Sequence, residues 1–371
     1  MEIAPALLED WLRDYYFTSD VDISGSGVED FSLGELRRLT GLTQEECDAV
    51  VFRDSPSCGR EELRQAIASR WGDGDARRVM TATGSSEALF LIMHALLRPG
   101  DEVVVLEPSY HSHVYIAESI GCRVKYWRLD FERGFRPDLR EFEQLVTKGT
   151  RMVVVNFPHN PTGASVTAEE QAEIVRTVAA AGAYLVWDAA FAELTYERPP
   201  LPDATRLYER AISIGTLSKA YGLPGLRVGW ALASPEVIND CVRIKDYTSL
   251  YLSPLIELIA LRAVEHAETL LRVRLAQARR NREIVGEWVG RNRGLVEWVP
   301  PQGGVTAFVH FPLLRDVHEF CRQLTERQKV LLVPGSCFKR PQHARLGFGG
   351  PTEVVRQGLA EVSELLKAHC A

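Results

Sequence analysis

No apolar run in this sequence approaches the ~18 residues that a membrane-spanning helix needs. Positive charge is also in short supply. Lysine and arginine number 43 against 50 aspartates and glutamates, a net charge of −7, so the chain lacks the basic footprint of a nucleic-acid binder. There is no CxxC pair and no Cys/His cluster. The seven cysteines, at 47, 58, 122, 241, 321, 337 and 370, are odd in number and scattered. This excludes a disulfide framework or a zinc ligand set, predicts reduced thiols, and gives no reason to expect a metal. Cys58 and Cys337 read as small packing residues. The opening stretch, MEIAPALLEDWLRDYYF, has neither a basic start nor a long apolar core, so it does not read as a signal peptide and a cytoplasmic location is expected. Repeats, low-complexity tracts and long linkers are absent as well. The expected partners are therefore small molecules and further copies of the chain.

What is present is ample apolar material, 46% of 371 residues, enough for two or three domains. The most informative stretch runs from Ile212 to Gly229, ISIGTLSKAYGLPGLRVG. Ile212, Ile214 and Leu217 read as the end of a buried strand that carries Lys219 into a poorly solvated position. Desolvation lowers an amine's pKa and makes it nucleophilic, as Schiff-base formation requires. Thr216 and Ser218 stand just ahead of the lysine, and Arg227 follows between Gly225 and Gly229. Hydroxyls with a guanidinium make an anion cradle, and the anion wanted beside such a lysine is the phosphate of pyridoxal 5′-phosphate.

At these residues the chain resembles the fold-type I pyridoxal phosphate enzymes, the aspartate aminotransferase superfamily, whose signature is a hydroxyl, SK, and then GxRxG. The resemblance covers nearly the whole chain. It implies an α/β fold: a large domain with a mostly parallel central sheet flanked by helices, plus a smaller α/β domain made from the two chain ends. The implied boundaries are 1–38 for an N-terminal arm and part of the small domain, 39–270 for the large cofactor-binding domain, and 271–371 for the C-terminal small domain. It also implies a homodimer with sites between the subunits.

Further motifs follow in the superfamily's order. In MTATGSSEAL, Gly84, Ser85 and Ser86 open a helix, and free backbone N–H groups at the positive end of a helix dipole suit a phosphate. DEVVVLEPSYHSH reads as a buried parallel strand, Val103 to Leu106, ending in a loop that carries Tyr110, His111 and His113. The resemblance places Tyr110 on the face of the cofactor ring. The two histidines are either proton carriers or plain loop histidines. NFPHNPTG supplies Asn160, implied to donate to the cofactor's phenolic oxygen, and Asn156, which either supports the loop or touches substrate. AYLVWDAAF ends on Asp188, a strand-end carboxylate that needs a positive partner. The implied partner is the ring nitrogen, and the pairing makes the ring an electron sink. Many relatives read DxxY here, whereas this chain has Phe191, which points away from an ordinary transaminase.

The ends of the chain supply the rest. Leu7, Leu8, Trp11, Leu12, Tyr15 and Tyr16 recur at helical spacing, predicting an arm that packs on something else. DVDISGSGVEDF precedes a helix that should start near Ser32. Its glycines are either ordinary turns or part of a segment crossing the active site, and Asp22, Ser24 and Gly25 are its candidate substrate contacts. No tyrosine precedes Gly59 in DSPSCGREELR; either a phosphate contact typical of relatives is missing or Arg53 replaces it. The stretch from Ser253 through Trp288 reads as a helical connection between domains. Arg345, in ARLGF, corresponds to the arginine that clamps the substrate α-carboxylate in the superfamily, with Gly303, Gly304 and Thr306 lining the same pocket.

Lys219, Asp188 and Tyr110 are thus the catalytic candidates. DISGSGV, FRDSPS, YHS, NFPHNPTGA, QGGVTAF and VPGSCF together are similar to a cyclase branch of the superfamily. Its members remove the α-proton of 3-hydroxyarginine, expel the β-hydroxyl as water and close the guanidine nitrogen onto Cβ, in antibiotic biosynthesis. An aminotransferase for a basic or aromatic amino acid is the second reading, and a non-catalytic pyridoxal phosphate-binding regulator the third.

Overall fold

Val103, Val104, Val105 and Leu106 are all buried, as a strand covered on both faces must be. They lie in a seven-stranded sheet in the computed structural model, which describes residues 2–370. The strands in chain order are β1 Val21–Asp22, β2 Val79–Thr83, β3 Glu102–Glu107, β4 Arg123–Arg128, β5 Thr150–Asn156, β6 Tyr184–Asp188, β7 Ala211–Thr216, β8 Val228–Leu232, β9 Thr306–His310, β10 Val330–Leu331, β11 Val333–Pro334 and β12 His343–Gly347. The large sheet has the order β2-β8-β7-β6-β5-β3-β4, and within it only β8 runs against the others. Alternate residues feed two cores. Val104, Leu106, Val153 and Val155 pack on one face, and Val103, Val105, Met152 and Val154 pack on the other.

Because β2, β3, β5, β6 and β7 are parallel, their carboxyl ends share one edge of the sheet. Gly84, Tyr110, Asn160, Asp188 and Lys219 all lie at or just beyond those ends. Arg227 joins them from the start of the reversed strand β8. Ligands of open α/β sheets gather at such an edge.

The remaining strands form a three-stranded antiparallel sheet, β11-β12-β9, and a parallel pair, β1-β10, in which Val21 faces Val330. The N-terminal segment is thereby sewn to the C-terminal part of the chain. The arm helix Leu7–Tyr15 packs there too. Leu8 and Trp11 are buried, Trp11 Nε1 donates to the Leu332 carbonyl at 3.1 Å, and the Cys337 thiol donates to the Leu7 carbonyl.

The next helix, Leu33–Thr40, is capped by Ser32, whose hydroxyl and Glu35 form a reciprocal capping box. Between the two groups of strands the chain is helical from Pro254, as two helices rather than one: Pro254–Glu265 and Ala267–Arg291, separated at His266. No glycine or proline marks that break. The second helix runs through position 270, so a boundary at 270/271 falls inside a continuous element. Six cysteines, 47, 58, 122, 241, 321 and 337, are free; the side chain of Cys370 lies outside the described residues. No described helix is long and apolar enough to cross a membrane.

Candidate active site

Lys219 follows β7 in a turn that the sequence builds tightly. The Thr216 hydroxyl lies 2.9 Å from the Val228 carbonyl and 3.0 Å from Ser218 Oγ, and it accepts from Ser218 N at 3.1 Å. Both hydroxyls are buried, and Thr216 is committed to holding the turn. The Lys219 amine donates to Ser26 Oγ at 3.0 Å. Burial, followed by the nearby Arg345 charge, brings its pKa down to about 8, with Glu9 acting in the opposite direction. Roughly a tenth of the amine is therefore neutral, and so nucleophilic, at pH 7, a far larger share than in an ordinary lysine.

Beside the lysine, the helix Ser85–Leu96 begins without a side-chain cap, so acceptors for its first N–H groups must come from elsewhere. Its N-cap, Gly84, has φ 80°, and a Cβ there would collide with the guanidinium of Arg227. Arg227 is itself left-handed, with φ 52°, and donates to the Pro224 carbonyl at 3.2 Å. The Gly84 N–H already donates to the Ala82 carbonyl at 2.8 Å, but the uncapped N–H groups of Ser85 and Ser86, with the arginine laid across the helix start, have the donor chemistry that a phosphate needs.

Asp188, at the end of β6, accepts from Ala190 N at 3.0 Å through Oδ1 and lies 2.8 Å from His113 Nε2 through Oδ2. His113 departs from the expected loop position. The helix His111–Ile120 starts immediately after Tyr110, whose backbone is extended, so His113 is buried in its first turn. His113 Nδ1 lies 3.3 Å from Ser109 Oγ. The Tyr110 ring lies 4.2 Å from that of His111, and its hydroxyl donates to Glu9 Oε1 at 3.1 Å. Burial first, and Glu9 second, push this phenol up to about 12.

Asn156 is engaged at both ends. Its Oδ1 accepts from Asn160 N at 2.9 Å and its Nδ2 donates to the Asp188 carbonyl at 2.9 Å, which ties the NPTG loop to β6. Asn160 Oδ1 accepts from Arg345 Nη1 at 3.3 Å. Buried His159 holds Thr162 Oγ1 at 2.8 Å, and burial takes its pKa down to about 3, so it is a neutral brace within the loop.

Arg345 projects from β12 and is 2% exposed. Its Nη2 donates to the Ser24 carbonyl at 2.9 Å, while its buried Nε has no partner among the described residues. Burial lowers its pKa to about 10, against the pull of Asp22. An arginine stays charged there, and a buried guanidinium with an unused donor is suited to an incoming carboxylate. The segment Asp22–Val28 lies between Arg345 and Lys219. Ser24 N and Oγ both donate to Asp22 Oδ1, at 2.7 and 2.6 Å, so the Ser24 carbonyl, rather than its hydroxyl, meets Arg345. Gly25 is exposed.

Sequence reasoning missed three contacts here: Glu9 with Tyr110, Ser26 with Lys219, and His113 with Asp188. The first two depend on the N-terminal segment folding back over the large sheet, which local pattern does not report. A cavity of about 780 Å³ lies among Trp71, Trp187, Tyr221 and Trp230; its lining includes Thr216 and Ala220 but not Lys219, Asp188 or Arg345.

A depressed lysine, an uncapped helix start crossed by an arginine, and a strand-end carboxylate fit the aldehyde, phosphate and ring nitrogen of pyridoxal 5′-phosphate, the cofactor of this chain. Residues 48–362 match the family described as aminotransferase class I and II. The chain is 47% identical to the capreomycidine synthase of Streptomyces vinaceus, across 98% of this chain and 94% of that protein. It is 31% identical to the aspartate aminotransferase of Thermotoga maritima, across 84% and 82%. Among solved structures, the PLP-dependent cyclase OrfR superposes with a TM-score of 0.95 at 44% identity, covering 99% of this chain and 98% of that one. The sequence match and the site geometry agree, and the chain belongs to the class I and II aminotransferase family.

Proposed function

We propose that this enzyme removes the elements of water from 3-hydroxyarginine and closes the guanidine nitrogen onto Cβ, giving capreomycidine for antibiotic biosynthesis. The reading rests on the likeness to capreomycidine synthase and to the cyclase OrfR. One feature of the site favours it on physical grounds. Glu9 reaches Tyr110 with a neutral phenol as its only side-chain partner among the described residues, and its charge is felt by Lys219 and Arg345. A carboxylate without a cationic partner, opposite an arginine, suits a substrate with a carboxylate at one end and a guanidinium at the other.

Arg345 binds the α-carboxylate through its unused donor and so orients the Cα–H bond. Lys219, neutral in part near pH 8, accepts the α-proton at Nζ. Asp188, held by His113, is positioned to keep a proton on the ring nitrogen. Bound pyridoxal phosphate supplies an electron sink for the charge left at Cα. Asn160, whose Nδ2 makes no hydrogen bond among the described residues, is free to donate to the phenolic oxygen. Gly84, Ser85, Ser86, Ser218 and Arg227 face the phosphate, and Glu9 holds the guanidinium near Cβ. The test is to incubate the loaded enzyme with 3-hydroxyarginine and no keto acid. A product lighter by one water supports the reading; turnover only on addition of a keto acid overturns it.

That second outcome belongs to an aminotransferase for a basic amino acid. The same Glu9 carboxylate, which has no cationic partner among the described residues, and the 29% identity to an arginine–pyruvate transaminase of Pseudomonas aeruginosa, favour this as the alternative. We also infer a cytoplasmic homodimer. Val51 and Phe52, next to Arg53 in the chain, are exposed apolar side chains that a second copy would cover, and a solution mass twice that of the chain checks it.

A further inference from the structure

We infer that Ser26 delivers the proton that turns the departing β-hydroxyl into water. The inference rests on the dehydration proposed above and names the acid for it. Ser26 Oγ accepts a hydrogen bond from Lys219 Nζ at 3.0 Å, and among the described residues its own O–H has no acceptor. A hydroxyl that accepts from the lysine and has a proton left to give is a relay with one open end.

Its position is fixed from both sides. Val28 N donates to the Lys219 carbonyl at 2.9 Å, which locks the segment to the lysine turn, and Gly347 N donates to the Ile23 carbonyl at 2.8 Å. Arg345 holds the Ser24 carbonyl, and Gly347 and Gly349 lie so close to the carbonyls of Gly25 and Gly27 that a Cβ on either would collide with them. The hydroxyl thus sits between the carboxylate clamp and the base, and the residue is 9% exposed.

The step balances. Lys219 Nζ takes the α-proton, and the Cα–H electron pair becomes available for the Cα–Cβ double bond. The Cβ–O bond breaks with its pair on oxygen. Ser26 gives its proton to that oxygen and receives one from Lys219, so water leaves, the lysine returns to its neutral form and the serine is unchanged. An amine whose pKa is already brought down to about 8 gives up this proton more readily than an ordinary lysine would.

The experiment compares wild type with Ser26→Ala, both loaded with cofactor, on 3-hydroxyarginine in deuterium oxide. α-Proton exchange and water loss are followed separately. The expected result is water loss slower by about 100-fold, the low end of what a positioned acid contributes, with α-exchange within about threefold of wild type. Ser26→Thr, which keeps a hydroxyl, should restore part of the loss. Independently of turnover, the pH midpoint for acylation of Lys219 in the cofactor-free protein should fall in Ser26→Ala, because the hydrogen bond to Oγ favours the charged amine. Equal water loss in both proteins, or a parallel fall in exchange and water loss, overturns the inference. If wild type itself loses no water, it is the proposed dehydration that fails.

Discussion

Asp188 Oδ2 lies 2.8 Å from Nε2 of His113, inside the first turn of the helix that follows Tyr110. Buried His113 fixes the direction of the half-buried carboxylate from behind, leaving the strand-end side for a ring nitrogen. Replacing His113 with phenylalanine leaves half-buried Asp188 with only the Ala190 N–H as a partner among the described residues. The expected cost is about 1–3 kcal/mol of stability in urea unfolding, with a lower kcat and little change in KM.

Removing the carboxylate itself is more severe for the chemistry. Asp188→Asn cannot hold a proton on the ring nitrogen, so α-proton exchange should drop by roughly 100-fold or more while cofactor binding persists. Exchange of the substrate α-proton with deuterium oxide, followed by mass, reads this directly.

The lysine gives a pH signature in the cofactor-free protein. Its pKa is about 8 in the folded chain against its ordinary 10.5, so between those values the unfolded chain binds more protons. Stability from this group therefore rises with pH across that window and is lost as pH falls through about 8. Lys219→Met removes the penalty of burying the charged amine. It should gain on wild type at pH 7 and lose that advantage by about pH 10, as measured by urea unfolding at the two pH values.

Arg345→Lys keeps the charge and loses the planar fork. Loss of one charge-assisted hydrogen bond predicts about 1.5–3 kcal/mol, or roughly 10- to 150-fold in kcat/KM. The loss should be common to every amino-acid substrate, because it concerns the shared α-carboxylate.

Glu9→Gln should behave differently. Affinity for arginine should fall by roughly 10-fold or more, while affinity for norvaline, which lacks the guanidinium, stays within about twofold. Equilibrium binding followed by the cofactor's absorbance separates the two ligands. Equal losses for both would mean that Glu9 serves only to seat Tyr110.

The legible part of this site was set by spacing along the chain. Gly84, Asn160, Asp188, Lys219 and Arg227 each sit where a buried parallel strand ends or, for Arg227, where the reversed strand begins, and runs such as Val103 to Leu106 announce those strands. Glu9 and Ser26 could not be read in this way. Each meets its partner across 101 and 193 residues respectively, through an N-terminal segment whose course is set by the pairing of Val21 with Val330 and by Trp11 at Leu332. His113 was hidden for a more local reason. The helix starts directly after Tyr110, with no Ser, Thr, Asp or Asn cap to mark it, so the histidine reads as part of a polar loop.

The central claim is ring closure at Cβ, and the most direct measurement is NMR of the product formed from 3-hydroxyarginine labelled with ¹³C at Cβ and ¹⁵N in the guanidine. The account predicts loss of one water together with a new one-bond coupling between Cβ and a guanidine nitrogen, without added keto acid. Release of ammonia and a keto acid that shows no such coupling would contradict it.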